Sequence, residues 1–281
     1  MSMPGKKPWL GWAVLTVGFG FLYLPILLLM VYSFNESRLA TVWTGFSTKW
    51  YGELLRDRQL LQAAWISLKV AFWTASAAVV LGTMAALAMV RFGRFRGRTA
   101  FGALVTAPLV MPEVILGLST LLLLVSMGGF FGLPSKGLVA IWIAHVTFTL
   151  AYVTVVVSSR LQELDRSLEE AAMDLGANRL KTFFAITLPI IAPSLVAAWL
   201  LAFTLSLDDV VIASFLSGPS STTLPIKIFA SVRLGVSPKI NALATIMVLS
   251  VSLIAVAGWW LTARAERKRA QEMQQALKDN G

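Results

Sequence analysis

The chain has 281 residues, of which 57% are apolar and 14% are charged. Soluble domains contain roughly 45–50% apolar and about 25% charged residues, so this composition excludes a soluble globular protein. The 24 basic and 14 acidic residues give a net charge of +10, and there is no cysteine. Disulfides, thiol catalysis and thiolate metal sites are therefore excluded. The apolar residues lie in long uncharged runs with no soluble block between them, which predicts a single membrane domain over residues 1–281.

Six apolar runs approach the length of about 20 residues that a transmembrane helix needs. The first has 25 uncharged residues. This is too long for a secretory signal, and no small-residue cleavage site closes it, so we interpret it as an uncleaved helix. The predicted fold class is therefore all-α, a polytopic membrane protein with six transmembrane helices. The runs are residues 10–34, 70–90, a third that contains Pro108, Pro112 and Glu113 and continues through 121–124, 137–159, 189–207 and 240–263.

The basic residues indicate how the chain is oriented. Cytoplasmic loops of membrane proteins carry an excess of lysine and arginine, and 15 of the 24 basic residues fall on one side if both termini are cytoplasmic. The N-terminal segment 1–9, the loop 160–189 and the basic tail 264–281 are then cytoplasmic. Because this bias explains much of the positive charge, nucleic acid is not needed as a partner.

The first outer loop is rich in aromatic residues. Tryptophan and tyrosine favour the headgroup level of a membrane, so Trp43, Trp50 and Tyr51 predict an interfacial anchor that leads into the second helix. A docking surface for an external partner is the alternative.

The cytoplasmic loop between the fourth and fifth runs contains the most informative pattern. Ser167 followed by Glu170 is a capping box, which predicts the start of a short helix. Gly176 suits the left-handed conformation that ends a helix, and Asn178 can cap the next one. We therefore expect a short helix, a tight turn and a second short helix. The first helix would carry one apolar stripe, formed by Leu168, Ala171, Ala172 and Leu175.

An exposed apolar stripe on a cytoplasmic loop calls for a surface that covers it. Alanines allow a close approach, which favours a groove on a partner protein. The alternative is that the stripe packs on the chain's own helix ends and that Glu170 serves only as a cap.

The residues of this loop resemble the EAA motif of ABC importer permeases. In that family the loop is the coupling helix that sits in a groove of the cytoplasmic ATPase subunit. Other segments, among them WYGELL, TAPLVMPEVILGLS and FTLSLDDVVIASF, resemble the second permease of putrescine and spermidine importers, and the putrescine system more closely. The residues that match the motif, and that the resemblance assigns to ATPase coupling, are Glu170, Ala171, Ala172, Gly176, Ile186, Leu188 and Pro189.

The resemblance implies an assembly rather than a protein that acts alone. It implies a type I ABC importer permease fold in a bacterial inner membrane, embedded in lipid. The expected partners are a second permease, two ATPase subunits and a periplasmic polyamine-binding protein. A homodimer of permeases is the alternative to two different permeases, and both putrescine and spermidine stay open as the substrate.

The sequence itself offers little for catalysis. It contains no GxxxxGK[ST] phosphate loop, and the single histidine, His145, has no second histidine or cysteine with which to bind a metal. We therefore expect no enzyme activity, cofactor or metal, and we interpret His145 as a hydrogen-bonding residue in helix packing. An ion-coupled secondary transporter and a membrane enzyme remain as rivals, although neither explains the motif.

Three acidic residues in or near the apolar runs are candidates for a cation pathway, because ionisable groups within a membrane are rare and often functional. A continuous helix from Phe101 would place Glu113 about 18 Å along its axis, near mid-membrane. Asp208 and Asp209 follow the fifth run, near the outer interface. Their alternatives are structural: hydrogen bonding for Glu113, and solvation or helix capping for Asp208 and Asp209.

Overall fold

The computed structural model describes residues 8–38, 42–93, 95–132, 134–234 and 238–253, together with positions 256, 260 and 264. Within these ranges the regular structure is helical, apart from one isolated antiparallel bridge between Asn35 and Phe46. The helices are α1 (Pro8–Tyr32), α2 (Lys49–Arg56), α3 (Arg58–Arg91), α4 (Arg98–Thr106), α5 (Glu113–Phe131), α6 (Leu138–Glu163), α7 (Ser167–Asp174), α8 (Arg179–Thr182), α9 (Leu188–Leu207), α10 (Val211–Leu216), α11 (Leu224–Leu234) and α12 (Pro238–Leu253).

Four helical stretches are long and apolar enough to cross a membrane, and a bent pair formed by α4 and α5 would make a fifth. The all-α prediction is therefore confirmed, whereas six spans are not shown. The predicted sixth run, 240–263, begins within α12, and most of it beyond 253 lies outside the described residues. The four stretches are Gly11–Tyr32, Arg58–Val90, Leu138–Glu163 and Arg179–Leu207.

The third apolar run is not one continuous helix. The chain leaves α4 through a 3₁₀ turn that contains Pro108, and α5 begins directly after Pro112, with an angle of 113° between the two helical parts. Proline has no N–H to donate, so it is tolerated at the start of a helix and interrupts the interior of one. Glu113 is consequently the first residue of α5. The expectation that it lies about 18 Å along a continuous helix from Phe101 was therefore wrong.

The chain groups into two units, residues 1–58 with 231–281, and residues 59–230. In the second unit α6 is central, because it packs against α4, α5, α9 and α10. Residues of α6 contribute to two apolar clusters, one on each half of the helix. One joins Ile66, Ile141, Phe148, Ile212 and Leu216; the other joins Ala75, Ala78, Val153, Val157, Ile191 and Ala198.

In the first unit α2 folds back onto the residues that follow α1. The indole Nε1 of Trp50 donates a hydrogen bond of 2.6 Å to the carbonyl oxygen of Asn35, and the Tyr51 hydroxyl lies 2.7 Å from that of Ser33. Trp50 is only 3% exposed. Its interpretation as an interfacial anchor was therefore wrong, because tertiary hydrogen bonding and burial hold the ring inside this unit. Trp43, by contrast, is exposed.

Candidate functional site

The helix of the predicted coupling loop is α7, and it begins where the sequence predicts. The capping box itself does not form. Instead, the Asp165 carboxylate accepts a 2.9 Å hydrogen bond from the backbone N–H of Ser167. Hydrogen bonds from the backbone and side chain of Ser167 lower the pKa of the Asp165 carboxyl. In a capping box the Glu170 carboxylate would accept this N–H of Ser167. Asp165 accepts it instead, and the Glu170 side chain is exposed.

The tight turn after α7 has the predicted geometry. Gly176 has a φ of +87°, a left-handed conformation that side chains with a Cβ rarely adopt. The N–H groups of Gly176 and Ala177 donate to the carbonyl oxygens of Met173 and Ala172. These bonds satisfy carbonyl groups that a helix end leaves without partners.

The second short helix of the loop also begins where predicted. Asn178 caps α8, because its Oδ1 accepts a 2.8 Å hydrogen bond from the backbone N–H of Lys181. From Phe183 to Thr187 the chain forms one π-helical turn, which leads directly into α9. Short π-helical turns often occur at functional sites. In the motif's second half, Ile186 and Leu188 are half-buried and Pro189 is exposed.

The apolar stripe of α7 is open. All eight residues of this helix, which the structure describes in full, are exposed or half-buried. Leu168 is 47% exposed and Leu175 is 90% exposed. The alternative in which the stripe packs on the chain's own helix ends was therefore wrong, and the stripe is available to another protein.

A residue that the sequence did not single out ties α7 to the longer helices. The Glu169 carboxylate forms a 3.0 Å ion pair with Nε of Arg91, the last residue of α3. It also accepts a 2.7 Å hydrogen bond from the hydroxyl of Thr187, the last residue of the π-helical turn. Arg91 is 78 residues away in the chain, so the only local signal for Glu169 is its position beside the motif's first residue.

The predicted pathway residues come together where α5 and α10 begin. A Cβ added to Gly117 would lie 3.2 Å from the Cα of Ile212, so the first turns of α5 and α10 are in close contact. Glu113 is one turn before Gly117 on the same face of α5. Asp208 and Asp209 lie just before the start of α10. Glu113 and Asp208 are both exposed.

Asp209 differs from its neighbour because it is only 7% exposed. Its carboxylate lies 3.1 Å from Nε2 of His145 and accepts hydrogen bonds from the backbone N–H groups of Ile212 and Ala213 at 3.2 and 2.8 Å. Asp209 therefore caps α10, as the structural alternative for this residue anticipated. His145 is 1% exposed and its Nδ1 lies 2.8 Å from the Ser206 hydroxyl, which confirms its interpretation as a hydrogen-bonding residue in helix packing.

Comparison with known proteins shows extensive similarity. Residues 78–271 match a family model described as the binding-protein-dependent transport system inner membrane component. The chain is 58% identical to the putrescine transport system permease protein PotI of Escherichia coli (strain K12), over 96% of each chain. It is 42% identical to the spermidine/putrescine transport system permease protein PotC of the same strain, over 90% of this chain and 94% of that protein.

Solved structures show the same fold at low sequence identity. A chain of a bacterial ABC transporter involved in the import of the acidic polysaccharide alginate superposes with a TM-score of 0.66 and 17% identity, over 91% of this chain and 96% of that one. A chain from the bacterial alginate ABC transporter in complex with a pentasaccharide-bound periplasmic protein gives 0.67 and 19%, over 90% and 93%.

Proposed function

The chain belongs to the family of binding-protein-dependent transport system inner membrane components, and from this premise we propose that it carries putrescine across the bacterial inner membrane. It is a permease subunit and not itself an enzyme, so a membrane enzyme is no longer a rival. The putrescine assignment rests on its 58% identity to PotI. Spermidine remains the second candidate substrate, because the 42% identity to PotC extends over 90% of the chain.

The open stripe of α7 carries the proposed mechanism of coupling. This helix ends at a left-handed glycine and presents Leu168 and Leu175 outward. An apolar surface of this kind favours a protein partner. We assign the surface to an ATPase subunit. The residues assigned to coupling are those of the motif: Glu170, Ala171, Ala172, Gly176, Ile186, Leu188 and Pro189.

The family implies an external binding protein and an ATPase, and the proposed complete assembly follows from it. Two ATPase subunits, a second and different permease, and a periplasmic polyamine-binding protein join this chain. The permease forms a single domain of the type I fold over residues 1–281. It has six transmembrane helices, of which 240–263 is the last, and both termini are cytoplasmic.

The proposed pathway passes Glu113 and Asp208. A diamine carries positive charges on its ammonium groups, which need carboxylate or carbonyl partners when they leave water. Both carboxylates are exposed in the single chain, and each lies next to a helix end at the contact of α5 with α10. Asp209 contributes its charge from the interior and fixes the start of α10.

Reconstitution tests this function. The chain is co-expressed with its genomic neighbours, purified through a tag on the chain, and inserted into lipid vesicles. ATP is enclosed in the vesicles, and labelled putrescine and the binding protein are added outside. Co-purification of an ATPase and ATP-dependent accumulation of label are the expected results. Uptake that follows an ion gradient without ATPase would instead identify a secondary transporter. Competition by unlabelled spermidine measures which polyamine the complete system prefers.

A further inference from the structure

The Glu169 carboxylate is the point where three segments of unit 59–230 meet. It lies on α7, pairs with Arg91 at the end of α3, and accepts a hydrogen bond from the hydroxyl of Thr187, the residue just before α9. Its side chain is 15% exposed and that of Arg91 is 12% exposed. Hydrogen bonds with ionised partners are stronger than those between neutral groups, and partial burial reduces their screening by salt.

The same guanidinium extends this junction toward the end of α6. Nη2 of Arg91 donates a 3.4 Å hydrogen bond to the carbonyl oxygen of Leu164, the residue that follows α6. Arg166, just before α7, donates a 2.9 Å hydrogen bond to the carbonyl oxygen of Val90. The last turn of α3 is therefore hydrogen-bonded to residues just before α7 and to a residue within α7.

Apolar burial contributes little to the attachment of α7. None of its eight described residues is buried. A groove of about 770 Å³ lies between α3, α7 and α9, and Glu169 and Thr187 form part of its wall. Side chains leave this space unfilled, and Glu169 is the residue of α7 whose polar contacts reach both the end of α3 and the residue before α9.

We propose that Glu169 is the positioning residue that makes α7, the end of α3 and the start of α9 move as one body. The inference rests on the proposed coupling function of α7. A displacement of α7 by the ATPase then shifts α3 and α9 together, through Arg91 and Thr187. Without the carboxylate, α7 still binds the ATPase through its outward face, but its movement is transmitted poorly to the membrane helices.

The test compares transport with hydrolysis in the reconstituted complex. Glu169→Gln removes the ion pair with Arg91 but retains an acceptor for Thr187. We expect the variant to assemble with the ATPase and to hydrolyse ATP within about twofold of the parent rate, whereas putrescine accumulated per ATP falls about tenfold. A merely structural role would lower assembled complex without changing this ratio. The matched control is Glu163→Gln in the last turn of α6, whose 3.0 Å pair with Arg160 is exposed and contributes little; its ratio stays at the parent value.

Two further variants keep the inference open to refutation. Thr187→Val removes one hydroxyl and lowers the ratio by a smaller factor, and it decides the matter if Glu169→Gln fails to assemble. The charge exchange Arg91→Glu with Glu169→Arg recovers part of the ratio that each single exchange loses. A parent ratio in Glu169→Gln, or in Thr187→Val if the former does not assemble, overturns the role of Glu169 and leaves the proposed function intact. A parent complex that binds no ATPase would overturn the proposed function itself.

Discussion

The imidazole of His145 and the carboxylate of Asp209 lie 3.1 Å apart inside unit 59–230. Nδ1 on the other side of the ring lies 2.8 Å from the Ser206 hydroxyl, so both ring nitrogens have a polar partner. Since Asp209 also accepts two backbone N–H groups of α10, this cluster joins α6, the end of α9 and α10. The start of α10, where α5 packs, is therefore capped by a residue of a buried polar network.

We expect His145→Ala to destabilise the protein, because it leaves the Asp209 carboxylate buried without its side-chain donor. Removing one partner of a buried polar pair costs about 1–3 kcal/mol. Thermal unfolding of the purified protein in detergent should therefore begin at a temperature several degrees below that of the parent. Asp209→Asn should also lower this temperature, because the N–H groups of Ile212 and Ala213 donate to different oxygens of the carboxylate and an amide offers only one acceptor oxygen.

Thr147→Val on the same helix is the matched control. Its hydroxyl is exposed and donates only to the carbonyl oxygen of Ile143, one turn earlier, so its removal should leave the unfolding temperature within about a degree of the parent value. Equal stability of His145→Ala and this control would contradict a structural role for the cluster.

The features that the sequence predicted well are those with local causes. Gly176 and Asn178 carry their own conformational preferences, so the turn and the next cap were found without knowledge of the fold. The predicted run 189–207 agrees with α9, Leu188–Leu207, because an uncharged apolar run of this length predicts a membrane helix without tertiary information. The sequence shows Asp208 and Asp209 as neighbours at the end of this run, but it does not indicate which of them is exposed.

The features that it missed depend on partners far away in the chain. His145 and Asp209 are 64 residues apart, and Arg91 and Glu169 are 78 residues apart, so no periodicity reveals either pair. The break before Glu113 had a local signal in Pro108 and Pro112. The apolar composition of the run nevertheless continues through both prolines. Hydropathy does not depend on a missing N–H, so the run alone predicts a continuous helix.

Gly176→Asp should abolish putrescine uptake while the protein remains in the membrane. A Cβ at a φ of +87° costs about 1–2 kcal/mol, and the new charge would lie at the proposed ATPase contact. Uptake and membrane content of the variant are the measurements. Gly176→Asn is the control, because asparagine tolerates the left-handed region and adds no charge. We expect it to retain a substantial part of the uptake, and normal uptake by the aspartate variant would count against coupling through this turn.

The topology can be tested with single cysteines, since the chain contains none of its own. Arg96→Cys, Asn178→Cys and Glu272→Cys should react with a membrane-impermeant maleimide only after the cells are opened. Ser47→Cys should react in intact cells, because 42–48 precede α2 in the proposed outer loop. Each variant serves as a control for the others. Labelling of position 178 from outside would reverse the proposed orientation.

The final prediction concerns the two exposed carboxylates. We expect Glu113→Gln and Asp208→Asn each to lower putrescine uptake several-fold without lowering assembled complex or thermal stability. An ammonium group 4 Å from a carboxylate gains about 4 kcal/mol at an effective dielectric constant near 20, and a loss of about 1.4 kcal/mol already changes a rate tenfold. The amide variants preserve size and hydrogen bonding, so they isolate the charge.

The structure gives this experiment an internal comparison that the sequence could not provide. Asp208 and Asp209 are neighbours, but only Asp209 is buried and bonded to His145 and α10. Asp208→Asn should therefore change uptake at unchanged stability, whereas the effect of Asp209→Asn should include a lower unfolding temperature. Release requires that the cation be held weakly, so one or two carboxylates along the route suffice. Uptake of labelled putrescine, normalised to assembled complex, decides the question: parent rates in both Glu113→Gln and Asp208→Asn would return these residues to structural roles.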